Sequence, residues 1–172
     1  MTHDRPIGDP AMRTKEIAVG RQIMVVLEHG EDFYSGLAEA CAKHEIRSGY
    51  IPSFVGGFRT ARLVGDCKPL ERPDAPLWEE VVVEHLEALG GGTLAWNTEE
   101  NQLAPHIHVA AGIKDASADG RVSHLLGATV QFICEIPVVE VIGTTEGPTL
   151  TRSRDPHLFG GEVPILGFGP LR

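Results

Sequence analysis

The sequence predicts an α+β fold, a mainly antiparallel β-sheet with one main helix and short additional helical segments. Apolar, β-branched runs recur along the chain and are separated by stretches that contain Gly and Pro, which is typical of strands. Only residues 31–45 carry a clear helical period. Because strands and helices do not alternate, the crossover helices of a parallel sheet are missing, and neighbouring strands are expected to pair antiparallel.

The length and composition predict one domain. The chain has 172 residues, of which 42% are hydrophobic and 23% charged, close to the average for globular proteins. Its N-terminal residues are rich in Pro, Gly and charge and predict a flexible arm over 1–14, followed by a single domain over 15–172. No apolar stretch has the length of a membrane span and no secretory signal is present, so we expect a cytoplasmic protein without membrane contact.

The first two elements follow from a change of period. The apolar run Ile23–Leu27 predicts a strand over 16–28. Apolar residues then fall at helical spacing, Glu31 and Asp32 stand where a helix N-terminus favours carboxylates, and Gly49 follows the end. The expected helix covers about 31–45.

The middle of the chain predicts short strands joined by turns. Residues 50–55 and 58–64 read as two short strands joined by a turn at Gly56-Gly57, and the three prolines within 65–77 predict an exposed loop. Strand character resumes over 78–89.

Three consecutive glycines, Gly90 to Gly92, predict a bend or bulge before residues 93–96. A nucleotide-binding loop is the alternative, but no phosphate-binding glycine motif opens a helix here. The last long apolar block, residues 130–142, again predicts a strand.

The candidate site is the segment Pro105–Val109 together with His124. Successive side chains of a strand point to opposite faces, so His106 and His108 share one face. Asp119-Gly120 is a strong turn signal, and a reversal there returns His124 to the level of the other two. Three neutral imidazoles with one open position are the usual arrangement of a zinc site that binds or activates a ligand.

A simpler interpretation is that these histidines are partly exposed polar positions on a sheet face, because H-x-H alone is a weak motif. The remaining histidines are scattered singly and are expected at the surface or in caps: His3, His29, His44, His85 and His157. The three cysteines, Cys41, Cys67 and Cys134, form no C-x-x-C pair and are expected to be buried thiols.

The net charge of −9 opposes direct DNA binding, because nucleic-acid affinity comes chiefly from Lys and Arg that neutralise phosphates. The chain has no basic run. The alternative is that folding gathers scattered arginines into one basic face. Those arginines are Arg59, Arg62, Arg121, Arg152 and Arg154.

Several short motifs occur in a characteristic order. They are Gly30-Glu31-Asp32, Gly57-Phe58-Arg59, the segment 83–92, His106-Ile107-His108-Val109, Asp119-Gly120-Arg121 with His124-Leu125, Leu150-Thr151-Arg152 with Asp155, and Leu166-Gly167-Phe168. Together, over about residues 17–168, they resemble the PPC (plants and prokaryotes conserved) domain family.

The resemblance implies a compact α+β fold, a homotrimer and a bound divalent metal, expected to be Zn²⁺, on His106, His108 and His124. Plant members carry an Arg-Gly-Arg-Pro AT-hook, whereas Arg5-Pro6 here lacks the preceding Arg-Gly. Prokaryotic members are often labelled DNA-binding through the plant connection, and the acidic charge of this chain contradicts that label.

Three functions follow as hypotheses. The first is a trimeric metal-binding domain with a regulatory or ligand-binding role, acting on transcription through a protein partner or sensing a small molecule. The second is a metal-dependent enzyme acting on a small molecule, since zinc lowers the pKa of a bound water to about 7. The third is direct DNA binding. By residue type, the candidates for the general base of an enzyme are Glu135, Asp119, Glu99 and Glu100.

Overall fold

A computed structural model describes residues 13–67, 78–113, 116–143, 148–155 and 163–169. Most of the predicted N-terminal arm therefore lies outside the described residues. The elements in chain order are β1 (Ala18–Glu28), α1 (Phe33–Lys43), β2 (Gly49–Cys67), β3 (Trp78–Asn97), β4 (Gln102–Ile113), β5 (Ala116–Ile142), β6 (Leu150–Arg154) and β7 (Pro164–Phe168).

The strands form one sheet that closes on itself. β2 pairs with β3, β3 with β4, β4 with β5, and β5 with β2, all antiparallel. β1 extends the sheet beside β5, and β6 joins β3 in a short parallel pair before β7 completes the edge. The predicted antiparallel pairing is thus confirmed for all but the β3–β6 pair.

The fold is mostly β rather than a balanced α+β. The described residues contain one helix, and the expected additional helical segments are not found among them. The prediction underestimated the strands, because segments expected to be turns or bends continue as strands of 19 to 27 residues. No helix in the described part of the chain is long and apolar enough to cross a membrane.

The predicted helix is present as α1 and begins at a capped end. The side chain of Asp32 accepts a hydrogen bond from the backbone N–H of Ser35 at 2.8 Å, which satisfies one of the free donors of the first turn. The inner face of α1 buries Phe33, Leu37 and Cys41. This face packs on the sheet and closes the main core.

The two short strands expected around Gly56-Gly57 are instead one strand, β2. The prediction of a glycine turn was wrong because these glycines serve close packing. A Cβ at Gly56 would lie 2.6 Å from the sulfur of Cys134 on β5. The register against β5 shifts between Gly56 and Gly57, and the register against β3 shifts earlier, between Ile51 and Phe54, around Pro52.

The glycine triplet likewise lies inside a continuous strand, β3, which does not bend away there. The expected irregularity is found in the ladder with β2, whose register shifts between the Ile51–Gly92 and Phe54–Gly90 pairs. The register with β4 runs without a shift through all three glycines, and Gly92 pairs with Ile107. A Cβ at Gly92 would collide with the carbonyl oxygen of His106. The glycines therefore let β3 approach the strand that carries the candidate site.

The hairpin that carries the three histidines is present, but its turn is elsewhere. Ile113 pairs with Ala116, so the chain reverses between these residues. The backbone of Asp119-Gly120, predicted to be the turn, lies within β5. The register of the ladder shifts between Ala111 and Ile113, opposite residues 116–121 of β5, and this irregularity brings His124 opposite His108.

The main core lies inside the closed sheet and under α1. The rings of Phe54 and Phe58 pack against Phe33 of the helix, at centroid distances of 5.2 and 5.6 Å. A second, smaller cluster formed by Ala95, Val141 and Leu150 holds the β6–β7 pair against the end of the sheet.

Two of the three cysteines are confirmed as buried free thiols. Burial raises the pKa of Cys41 to about 11 and that of Cys134 to about 12, so both are unreactive at neutral pH. The side chain of Cys67 lies outside the described residues.

Candidate metal centre

Strand β4 presents the two predicted histidines on its outer face. Ile107 and Val109 point into the core and are 0% and 1% exposed. His106 and His108 alternate with them and therefore point away from the core. The alternation expected from the sequence is present.

His124 reaches the same site from β5. It lies directly opposite His108 in the β4–β5 ladder, and directly opposed residues share a face. One ligand nitrogen from each of His106, His108 and His124 lies within 4.8 Å of the others. The structure thus brings together the three residues that the sequence singled out.

The spacing of these nitrogens fits a shared ion. The Nε2 atoms of His106 and His108 are 3.1 Å apart, and two imidazole ligands of one tetrahedral zinc, with bonds of about 2.0–2.1 Å, lie about 3.3 Å apart. The Nδ1 atom of His124 is buried and has no hydrogen-bond partner among the described residues. A bound cation would satisfy such an atom, so the donor set fits a divalent metal.

The surroundings keep the cluster in its neutral, metal-binding form. Burial, together with the smaller effects of the charges of His124, Arg152 and His108, lowers the pKa of His106 to about 4. Burial also lowers the pKa of His124, with smaller effects from His108 and Arg152. Both imidazoles are therefore unprotonated at neutral pH, as metal coordination requires.

Arg152 is the part of the site that the sequence did not reveal. It is only 6% exposed, yet its guanidinium lies against the histidines, with Nη1 3.4 Å from Nδ1 of His106. Nε donates to the carbonyl of Ala104 at 3.3 Å and Nη2 donates to Oγ1 of Thr93 at 3.0 Å. Burial lowers the pKa of Arg152. The available sequence signal was the motif Leu150-Thr151-Arg152, which the resemblance included without a role for the arginine.

Arg152 is positioned by contacts that β6 makes with β2 and β3. The backbone N–H of Leu150 donates to Oγ of the buried Ser48 at 2.9 Å, which ties the start of β6 to the start of β2. Arg152 then pairs with Asn97 at the end of β3. These contacts fix β6 beside β3, and β3 in turn pairs with β4, the strand that carries His106.

A cavity of about 460 Å³ opens beside the histidines. Its polar side holds the three imidazoles with Arg152 and Arg154, and its other side is mainly apolar. The apolar part is formed by Val64, Trp78, Pro105, Val122, Val163 and Pro164. No carboxylate of a described residue lines it.

The carboxylates considered as general bases do not line this cavity where their side chains are described. Glu99 and Glu100 line a neighbouring cleft, which shares Arg152 and Arg154 with this cavity. Glu135 is exposed on β5, opposite Val26 of β1. The side chain of Asp119 lies outside the described residues.

The arginines whose side chains are described do not form one basic face. Arg62 makes an ion pair with Glu80 at 2.8 Å, and Arg152 is buried. Arg59 and Arg154 are exposed, and the side chain of Arg121 lies outside the described residues.

The other histidines lie apart from the cluster. His29, His44 and His85 are exposed, as predicted, and His44 is the C-cap of α1. His3 and His157 lie outside the described residues.

Comparisons with known proteins agree with this fold. The model of the Plants and Prokaryotes Conserved (PCC) domain matches residues 14–142. The comparison with curated protein sequences gives no match.

Solved structures share the fold at low sequence identity. A plant- and prokaryote-conserved protein from Pyrococcus horikoshii is 18% identical with a TM-score of 0.69, covering 94% of this chain and 99% of its own. A metal-containing protein from Archaeoglobus fulgidus is 24% identical with a TM-score of 0.68, covering 85% and 94%. A candidate DNA-binding protein from Ralstonia eutropha is 22% identical with a TM-score of 0.65, covering 84% and 90%.

Proposed function

The chain belongs to the Plants and Prokaryotes Conserved domain family, and from that premise we propose that it is a homotrimeric, zinc-binding domain with a regulatory or ligand-binding role. The observation that carries the proposal is the convergence of His106, His108 and His124 at one point of the sheet surface. The archaeal protein of the same fold is named as metal-containing, which agrees with this choice.

The three imidazoles would hold the ion, and the bound zinc would supply a Lewis acid with a position open to the cavity. The chain's own contribution is to fix the imidazoles on two hydrogen-bonded strands and to keep them neutral. Nitrogen ligands without thiolates suit zinc among the common divalent ions, although other transition metals accept them as well.

A ligand-binding role is preferred to the alternative, a metal-dependent enzyme, because of the cavity's chemistry. Hydrolytic zinc sites usually need a general base close to the metal-bound water. Among the described residues, the cavity wall offers cations and apolar side chains but no carboxylate. Cationic and apolar side chains can hold an anionic or apolar ligand. The described residues of the wall do not include a carboxylate that could act as the general base.

The metal proposal is tested by removing one ligand. His108→Ala should reduce the zinc content of the purified protein from about one ion per chain to well below that, measured by emission spectroscopy. His44→Ala is the matched control, since it removes an exposed histidine at the C-cap of α1. Unchanged zinc in His108→Ala would place the ligands elsewhere, and little zinc in the unmodified protein would refute the proposal.

Self-association is supported by exposed apolar side chains on the outer face of the sheet. Val55 on β2 and Leu89 on β3 are directly paired and are 50% and 55% exposed, and Val26 on β1, 48% exposed, lies in the same cross-strand row beyond Glu135 of β5. Exposed apolar side chains that adjoin on one face and are bordered by a charged residue favour an interface. The number of three copies follows the family resemblance.

The assembly is tested by light scattering. The unmodified chain should give about three times the protomer mass of 18.6 kDa. Leu89→Lys should shift the mass toward the monomer, whereas Ala42→Lys, which adds the same charge on the exposed side of α1, should not. A monomeric mass for the unmodified chain at micromolar concentration would end the trimer proposal.

Direct DNA binding is not part of the proposal, although two proteins of the same fold are named as candidate DNA-binding proteins. The formal charge of −9 repels phosphate, and non-specific binding needs several basic contacts. A mobility-shift titration at about 100 mM salt should show no binding of duplex DNA below about 1 µM. A tighter, salt-sensitive complex would contradict this expectation.

A further inference from the structure

The cavity beside the histidines contains a buried cation that needs an anion. Arg152 is 6% exposed, and the ion pairs among the described residues do not include it. Its described hydrogen-bond partners are a carbonyl, a hydroxyl and an imidazole, none of which is an anion. Burying an arginine without a counter-charge is costly, and buried charges are normally paired. An anionic partner from outside the described residues would remove that cost.

The guanidinium has donors to offer such a partner. Arginine carries five N–H groups, and three of them point to Ala104, His106 and Thr93. Both terminal nitrogens therefore keep a further N–H for which the described residues provide no acceptor. A planar carboxylate can accept from two parallel N–H groups of one guanidinium.

Binding of zinc would free another donor. In the neutral imidazole of His106 only one nitrogen has a free lone pair. If the metal takes Nε2, the nitrogen that faces His108, the proton resides on Nδ1, which can then no longer accept from Arg152. The Nη1 group, 3.4 Å away, loses its partner, so metal binding increases the capacity of Arg152 for an anion.

The rest of the cavity limits what the anion can be. A volume of about 460 Å³ suits a small molecule, and Trp78, Val64 and Val122 provide an apolar wall. The only described cationic side chains are Arg152 and Arg154. Arg154 is exposed, so water screens its charge, whereas Arg152 is buried. One buried guanidinium and one metal position match the two oxygens of a carboxylate better than the larger shell of a phosphate dianion.

We propose that this cavity binds a small monocarboxylate with an apolar body, whose carboxylate lies between the metal position and Arg152 and whose body packs on the Trp78 wall. This inference rests on the proposed function, because it uses the metal held by the three histidines. It adds the ligand class that the site would recognise.

The test is calorimetric titration of the zinc-loaded protein with benzoate, after the zinc content has been measured. Benzoate should bind at one site per chain and at least about 10-fold more tightly than acetate, which lacks the apolar body. Benzyl alcohol, of the same shape without the charge, and inorganic phosphate should each bind at least about 10-fold more weakly. Equal affinity for benzoate and benzyl alcohol, or tighter binding of phosphate, would overturn the proposal.

Arg152→Gln should keep the zinc content and weaken benzoate at least 10-fold. Arg47→Gln is the matched control, because it removes the same charge from an exposed residue that lies over Trp96. Should Arg152→Gln fail to fold, Thr93→Val removes only the acceptor of Nη2 and should weaken benzoate severalfold. Unaltered benzoate affinity in the folded Arg152 or Thr93 variant would refute the role of the guanidinium.

Measuring zinc and benzoate separately distinguishes the two failures. A protein without zinc refutes the proposed function, and the ligand proposal with it. A protein that holds about one zinc per chain but does not bind benzoate refutes the ligand proposal alone. Binding of benzoate that is unaffected by removing zinc would show that the metal takes no part.

Discussion

The two faces of strand β4 differ completely although their residues alternate along one short segment. Ile107 and Val109 on the inner face are almost fully buried and contact only the apolar core. His106 and His108 on the outer face meet His124 and Arg152 beside an open cavity. The same backbone thus supports the core with one set of side chains and the chemistry with the other.

The inner side chains of β4 therefore contribute to the stability of the fold, and the outer ones to the candidate metal site. Full burial of an isoleucine side chain contributes about 1.5–3 kcal/mol to folding. The outer histidines bury less surface, and without a metal their nitrogens meet mainly each other and an arginine. We therefore expect substitutions on the inner face to change the free energy of unfolding and those on the outer face to change binding.

The largest effect on stability is expected from Ile107→Ala, which should lower the free energy of unfolding by about 2–5 kcal/mol because it leaves a cavity in the core. Denaturant unfolding measures the change. Val82→Ala, at a site that is 57% exposed, is the control and should cost less than about 0.5 kcal/mol. A loss below 1 kcal/mol in Ile107→Ala would show that the inner face matters less than its burial indicates.

The alternation itself was predictable from the sequence. A period of two places His106 and His108 together whatever the rest of the fold does, and His124 needed a hairpin of roughly the right length. The turn position was wrong, and the pairing of His108 with His124 depends on a feature that the sequence analysis did not predict, the register shift between Ala111 and Ile113. A regular ladder continued from the Ile113–Ala116 pair would instead place Arg121 opposite His108.

Glycine was the main source of error. Gly56 and Gly92 were interpreted as turn or bend residues, but each permits a neighbouring strand to approach, Gly56 at Cys134 and Gly92 at His106. The same residue type serves both purposes, and only the position of the partner strand distinguishes them.

Arg152 was missed for a related reason. It lies 46 residues beyond His106, on a short strand that reaches the site through the parallel β3–β6 pair. No local pattern announces such a contact. Its burial without an ion pair among the described residues becomes visible only once the strands are assembled.

Zinc should stabilise the protein through the histidines on the outer face of β4, whether or not the inner face is intact. A ligand that binds only the folded chain adds about 2.7 kcal/mol to the free energy of unfolding at a free concentration of 100 times Kd. Thermal unfolding with and without zinc should show a rise in Tm for the unmodified chain and for Ile107→Ala, but none for His108→Ala. A rise in Tm in His108→Ala would mean that zinc acts elsewhere.

Gly92→Ala should affect both faces of β4 at once. Its new Cβ would collide with the carbonyl oxygen of His106 and approach the side chain of Ile107. We expect a loss of about 1–3 kcal/mol of stability from overpacking, together with weaker zinc binding. Gly127→Ala is the control, because the nearest atom to its Cβ is 3.7 Å away, in the Arg62 side chain. Normal zinc affinity in Gly92→Ala would show that the two faces are independent even at their shared backbone.

The smallest effect expected is a pH dependence of the metal-free protein. The pKa of His106 is about 4 when folded, against an ordinary value of 6.5, mainly because of burial. Between these values the unfolded chain binds more protons than the folded one, so stability falls as the pH falls from about 6.5 toward 4. Since His106 is only partly buried, solvent screening should limit the loss to about 1 kcal/mol or less.

Denaturant unfolding in the presence of a chelator, at pH 6.5 and 4.5, measures this loss, and His106→Gln should show less of it because glutamine does not titrate. The carboxylates whose pKa values are lowered by ion pairs, Glu80 and Glu140, are present in both proteins and cancel in the difference. Equal losses in the two proteins would mean that folding does not hinder protonation of His106. A smaller loss in His106→Gln would show that the outer face costs stability in acid, while the inner face, which has no titrating group, does not.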